Sequence, residues 1–138
     1  MKPYEIIDHT ADIGLRIYGE DWEALLKNAG FALFDLMTDA ASIEPKNQMP
    51  LSLEGKNRED LFLHWLRELL YLFSTKQFVF KDFNFQELTE NHLKGIAQGG
   101  VFDPKSHEQR MEVKAVTYHQ FKLEKQKSGW VAEVILDI

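Results

Sequence analysis

Between Asn57 and Phe73 the chain carries an apolar stripe that only a helix packed against a large surface can bury. Leu61, Phe62, Trp65, Leu66, Leu69, Leu70 and Phe73 recur at three- and four-residue spacing, the period at which side chains return to one face of an α-helix. Asn57 stands at the N-cap, and Asp60 occupies the position where a carboxylate completes a capping box. A second helix is written upstream by Trp22, Leu25, Leu26, Ala29, Leu33, Leu36 and Met37, with Asp21 as N-cap and an end near Thr38-Asp39.

Elsewhere the period is that of strands. Tyr4 to Asp8 and Asp12 to Tyr18 predict two short strands joined by a tight link at Thr10-Ala11, with Ile13, Leu15 and Ile17 on one face and Gly14, Arg16 and Tyr18 on the other. After a polar stretch with Pro45 and Pro50, Leu51 to Glu54 predicts a short strand closed by Gly55. Phe78 to Phe85, then Leu88 and a hairpin through Glu90-Asn91, lead into His92 to Gln98. A loop at Gly99 to His107 precedes strands at Arg110 to His119, Phe121 to Lys125 and Trp130 to Leu136, the last two joined by the turn Gln126-Lys127-Ser128-Gly129. Two helices and about eight strands, with no βαβαβ alternation, predict an α+β fold in which the two helices pack on one face of a largely antiparallel β-sheet. With 138 residues, 44% of them apolar, and no linker or repeat, residues 1–138 are expected to form a single domain.

Composition narrows the function classes. There are no cysteines, which excludes disulfides, thiolate zinc sites and thiol chemistry. Met1-Lys2-Pro3-Tyr4 runs directly into Glu5 and Asp8 without the apolar core of a signal peptide, and no later stretch has the roughly 18 apolar residues of a bilayer span. A soluble cytoplasmic protein with no membrane partner is expected. The net charge is −6, and 16 Lys and Arg are interspersed with 22 acidic residues, so tight direct binding to nucleic acid is not expected.

Oxygen donors concentrate at two places, Asp8-His9-Thr10-Ala11-Asp12-Ile13-Gly14 and the final Asp137-Ile138. Asp137 closes the last strand, on the face of Val131, Glu133 and Ile135 and opposite Trp130, Ala132, Val134 and Leu136. If the first and last strands are neighbours, Asp12, Asp137 and the terminal carboxylate of Ile138 converge on an all-oxygen site for a hard divalent cation. The residues alone leave another reading open, in which Asp8 and Asp12 cap a turn and Asp137 is a solvated terminus. His9 would suit Mn²⁺ or Zn²⁺ better than Ca²⁺, but a single His in a tight turn is more often a hydrogen-bonding residue. The other histidines, His64, His92, His107 and His119, show no HxxxH or HxH spacing.

Lys114 interrupts a run of β-branched and aromatic residues from Glu112 to His119. It is either an ordinary solvent-facing strand residue or a partner-facing charge near the acidic cluster, and with Val116 and Tyr118 it makes a mixed face that suits a protein interface. No nucleophile elbow, P-loop or G-x-G-x-x-G motif is present, and Gly99-Gly100-Val101-Phe102-Asp103-Pro104 lacks the Lys-Ser/Thr of a phosphate cradle. A metal-dependent hydrolase using Asp12 and Asp137 stays open, with His9 the one evident general base.

Five blocks resemble the archease family: Asp8 to Gly14, Phe34-Asp35-Leu36-Met37-Thr38-Asp39, Trp65 to Phe73, Glu112 to His119, and Asp137-Ile138. They lie in order, cover essentially the whole chain and show no departure from the family's motifs. The resemblance implies an archease-like domain that is not itself an enzyme but a protein cofactor of the RtcB-type tRNA-splicing ligase, which joins RNA ends bearing 2′,3′-cyclic phosphate or 3′-phosphate to 5′-hydroxyl. It implies promotion of guanylylation of the ligase's active-site histidine, multiple turnover and broader nucleotide use, in tRNA splicing or RNA repair. It further implies a divalent cation, with Ca²⁺ expected and Mg²⁺ or Mn²⁺ as alternatives, held by Asp12, Asp137 and Ile138. Asp8, His9 and Lys114 are implied in metal support or ligase contact. A stand-alone metal-dependent phosphate hydrolase and a chaperone-like interaction module are the alternatives.

Overall fold

Both helices form where their stripes and caps place them, in a computed structural model that describes residues 3–8 and 12–138. Helix α1 spans Trp22–Met37, and the Asp21 side chain accepts the Ala24 N–H at 2.8 Å. Helix α2 spans Arg58–Lys76, with the Asn57 side chain accepting the Asp60 N–H at 2.9 Å and the Asp60 carboxylate accepting the Lys56 N–H at 2.8 Å. The Asp21 and Asn57 bonds satisfy backbone donors that the helix geometry orphans, and the Asp60 bond ties down the residue before the N-cap.

Seven strands accompany them among the described residues: β1 (Tyr4–Asp8), β2 (Asp12–Gly19), β3 (Asn47–Glu54), β4 (Phe78–Leu88), β5 (His92–Val101), β6 (Ala115–Gln126) and β7 (Gly129–Asp137). All pairings are antiparallel, but the strands divide into two sheets, ordered β1-β2-β7-β6 and β3-β5-β4. The helix pair serves both. Phe62 on α2 packs its ring 5.8 Å from Phe121 of β6, while Trp65, one turn on, sits edge-on to Phe83 and Phe85 of β4 at 4.9 and 5.5 Å. On α1, Trp22 meets Trp130 of β7 and Phe34 meets Phe80 of β4. This two-sided packing explains why Leu63, Leu72, Ala32 and Phe34 are buried beside the expected stripes. The Trp65 indole N–H donates to the Leu26 carbonyl at 2.8 Å, which joins the two helices directly.

Several boundaries differ from the sequence expectation, among them the end of β5, which runs on to Val101 and into the loop expected at Gly99 to His107 because its neighbours continue to pair with it there. β3 begins at Asn47 and runs through Pro50, which an edge strand tolerates because its outward side needs no N–H. β6 is one continuous strand where two were expected, with a register irregularity between Thr117 and Lys122 that accommodates Gln120 at φ 52. Arg110 to Lys114 is not strand at all, because its first N–H groups are directed at a helix end.

That helix end is the C-terminus of α1, whose last carbonyls have no partner within the helix. Arg110 N–H donates to Met37 O at 3.0 Å, Met111 N–H to Leu36 O at 2.9 Å, and the Arg110 guanidinium to Asp35 O at 2.9 Å. The Thr38 hydroxyl, fully buried, donates to Glu108 O at 2.6 Å. Residues 108–114 thus form a strap across the end of α1. The Asp35 carboxylate joins the strap to β1: one oxygen accepts from Arg110 at 3.0 Å and the other from the Tyr4 hydroxyl.

Gly99 lies on the central strand β5, between Asn47 and Phe80, where a Cβ would stand 1.9 Å from Val79 O and 2.7 Å from Phe80 Cα. Backbone cannot yield there as a side chain would, so Gly99→Ala is expected to cost on the order of 2 kcal/mol in urea unfolding. Burial, and then the hydrogen bond to Asp35, push the Tyr4 phenol up to about 12 from its ordinary 10.0. The unfolded chain ionises first, so the stability Tyr4 contributes is whole below pH 10 and is lost as the pH climbs through about 12. Tyr4→Phe is expected to lower the urea midpoint at neutral pH and to flatten its alkaline decline; an unchanged alkaline slope would overturn the assignment.

Candidate cation site

The pairing of β2 with β7 runs from Asp12 opposite Asp137 to Gly19 opposite Trp130. Residues directly opposed in an antiparallel ladder project to one face of the sheet, so Asp12 and Asp137 share a face with the pairs Gly14 and Ile135, and Arg16 and Glu133. The opposite face buries Ile13, Leu15 and Ile17 with Ala132, Val134 and Leu136 in the core. The sequence alternation therefore holds, and it leaves the two aspartates on the side away from the helices.

On the other flank of β7, Asp137 is opposite Ala115, and the Lys114 N–H donates to Asp137 O at 2.7 Å. Asp12 is half-buried, whereas Asp137, Ile138 and the Lys114 side chain are exposed. The register thus brings Asp12, Asp137 and Lys114 together, with Ile138 next in the chain. Lys114 enters through its backbone, which ties the end of the strap to the end of β7. Asp8 ends β1 opposite Ile13, but its side chain, like the whole of His9, lies outside the described residues.

The donor chemistry fits a hard cation. The two facing side chains supply only carboxylate oxygens, and among the described residues no group of three or more His, Cys, Asp or Glu side chains is arranged to hold a metal. A cation here would therefore need further oxygen donors, from a chain-terminal carboxylate, backbone carbonyls or water, as Ca²⁺ and Mg²⁺ commonly take. Arg16 does not neutralise the aspartates: its guanidinium is engaged by Glu133 at 2.7 Å and Glu5 at 3.5 Å, and the Glu133 hydrogen bond holds it above its usual value. Between these charged pairs, Gly14, Gln120, Lys122 and Ile135 help line a depression of about 180 Å³ on the same face.

Three of the histidines are engaged away from the aspartate pair. His64 contacts Glu54 O and Asp60, His92 contacts Glu87, and His107 accepts the Asp103 N–H. The strap residues Arg110 and Glu108, with Asp35 and Tyr4, were not foreseen as neighbours of the site. Only the Asp35 block was visible as a motif, since the contacts join segments remote in sequence. No helix among the described residues is long and apolar enough to cross a membrane.

The model of the Archease protein family (MTH1598/TM1083) matches residues 4–138. Protein archease of Pyrococcus furiosus is 40% identical, with 100% of each chain covered, and Protein archease of Methanosarcina mazei is 39% identical, covering 99% of this chain and 97% of its own. The solution structure of Methanobacterium thermoautotrophicum protein 1598 is similar with a TM-score of 0.83 at 35% identity, covering 100% of both chains. A crystal structure from Thermotoga maritima, described as an archease, possible chaperone, shares the fold with a TM-score of 0.70 at 23% identity, over 97% of this chain and 96% of that one. The match extends across both strands of the aspartate pair and through every element between them, and by it the chain belongs to the archease family.

Proposed function

We propose that this protein is an accessory factor that activates an RtcB-type RNA ligase, promoting guanylylation of the ligase and multiple turnover in tRNA splicing or RNA repair. The observation that carries this reading is the pairing of a half-buried Asp12 with an exposed Asp137 on the face of the four-stranded sheet turned away from the helices. Asp12, Asp137 and the terminal carboxylate of Ile138 hold a divalent cation, Ca²⁺ in the first instance and Mg²⁺ or Mn²⁺ as alternatives. When bound, the ion supplies a hard positive centre that offsets the mutual repulsion of the carboxylates. Asp8, His9 and Lys114 serve metal support or ligase contact.

The chain's own residues do the rest. The acidic cluster docks near the ligase's metal-filled active site, and the exposed Lys114 side chain, next to Asp137 in space, supplies a partner-facing charge. Activation requires tighter binding to the ligase conformation competent for nucleotidyl transfer, because equal affinity for both conformations would shift nothing. The net charge of −6 supports a protein partner over naked RNA.

The test is guanylylation and ligation by a cognate ligase held substoichiometric to RNA. The wild-type protein is expected to raise product beyond one per ligase, and Asp12→Ala or Asp137→Ala to return turnover to that of the ligase alone while the folded structure persists by circular dichroism. Full stimulation by both variants would overturn the cation-site reading. Metal-dependent hydrolysis without a ligase would favour the hydrolase alternative, and rescue of unrelated unfolded clients the chaperone.

A further inference from the structure

The strap and strand β1 meet at one carboxylate, and from that point each runs to a different flank of the aspartate pair. Tyr4 begins β1, and the same strand ends at Asp8, opposite Ile13 and so beside the first residue of β2. Arg110 begins the inner run of the strap, which passes Val113, buried in the core, and ends where Lys114 donates its N–H to Asp137 O at 2.7 Å. Asp35 holds both starting points, through the Tyr4 hydroxyl and the Arg110 guanidinium.

Its own position is fixed. Asp35 sits in the last turn of α1, where Thr38 N–H, Met111 N–H and Arg110 N–H take up Phe34 O, Leu36 O and Met37 O, and the Arg110 side chain takes up Asp35 O. A second carboxylate, Glu108, holds the other arm of Arg110 at 3.0 Å, which leaves the guanidinium little freedom to swing away. Phe31, one turn before Asp35 on α1, sets the Tyr4 ring edge-on at 6.2 Å. The carboxylate is thus held from its own helix and from both segments that it joins.

We infer that Asp35 is a positioning residue for the Asp12 and Asp137 pair: it sets the affinity of that pair for a divalent cation without contacting the ion. Through Arg110 it fixes the strap whose end carries Lys114 against Asp137, and through Tyr4 it fixes the strand that leads to Asp8. Loss of the carboxylate frees both flanks at once, whereas loss of one partner frees only one. The inference rests on the cation reading of the aspartate pair.

The experiment is calorimetric titration of the purified full chain with Ca²⁺, and with Mn²⁺ as a second probe, with unfolding in urea measured on the same samples without metal. Removing a direct hydrogen-bond partner of a metal ligand typically costs 10- to 100-fold in affinity, and Asp35 acts one step further out through Arg110 and Tyr4, so Asp35→Ala is expected to weaken binding by about tenfold, the low end of that range. Asp35→Asn, which keeps one acceptor, and Tyr4→Phe, which frees only β1, are expected to lose less. Val79→Ala, a cavity in the other sheet, serves as the destabilised control and is expected to leave affinity unchanged. Should Asp35→Ala fail to fold, Arg110→Gln and Tyr4→Phe carry the same test, with an additive loss expected in the double variant. If the wild type binds and the Asp35 variants bind equally well, or if Val79→Ala loses as much affinity, the positioning role is overturned and the cation site stands. If the wild type binds neither ion, the cation reading and the inference built on it fall together.

Discussion

The register between β2 and β7 is the constraint on which the rest of the structure depends. It pairs the two ends of the chain, and because side chains alternate along a strand, a slip of one residue would turn Leu15, Ile17, Ala132, Val134 and Leu136 out of the core. Burial of these side chains therefore specifies the register strongly. The outer face adds its own check, since Arg16 meets Glu133 only in this alignment. Once the apolar face has fixed the ladder, Asp12 has no alternative position but opposite Asp137. The placement of two like charges side by side is thus imposed by hydrophobic packing several residues away.

Such an arrangement costs stability unless something offsets it. Like charges directly opposite in a ladder repel, whereas Val or Thr at either position would be welcome in a strand. The chain instead ends both strands on aspartate and surrounds the pair with backbone constraint, from Lys114 on one side and β1 on the other. The strap shows the same economy of parts. One segment takes up the last carbonyls of α1, buries Val113 and ties down the end of β7 at Asp137.

How much of this is legible in the sequence follows the range of each interaction. The helices were visible because their period and their caps Asp21 and Asn57 are local signals. The alternation of Ile13, Leu15 and Ile17 and of Ala132, Val134 and Leu136 is visible for the same reason, and it assigns Asp137 to the opposite face of β7. Whether those strands are neighbours was conditional, because pairing between the two ends of a chain leaves no local trace. The division into two sheets leaves no local trace either: Trp65 and Phe62 are adjacent turns of one stripe, and nothing in their spacing says that they face different sheets. Arg110 to Lys114 reads as strand because β-branched and aromatic residues follow it, whereas its first two N–H groups answer a helix end more than seventy residues upstream. The residues alone leave the aspartates divided between a cation site and a solvated turn, and family resemblance implies the first of these and a ligase partner.

A site built across the two ends of the chain has a thermodynamic consequence for the proposed activity. A cation bound by Asp12 and Asp137 is bound by the folded protein alone, so it stabilises the fold by about 2.7 kcal/mol at a hundredfold excess over its dissociation constant. That free energy is the same whichever conformation the ligase adopts, and it therefore cannot by itself drive activation. The conformational preference must come from groups whose contacts differ between the two ligase states. On the proposed reading the ion and the Asp35 junction act by preorganising this end of the sheet, and discrimination falls to what it presents, of which the exposed Lys114 residue, held by its own backbone against Asp137, is the best-placed element.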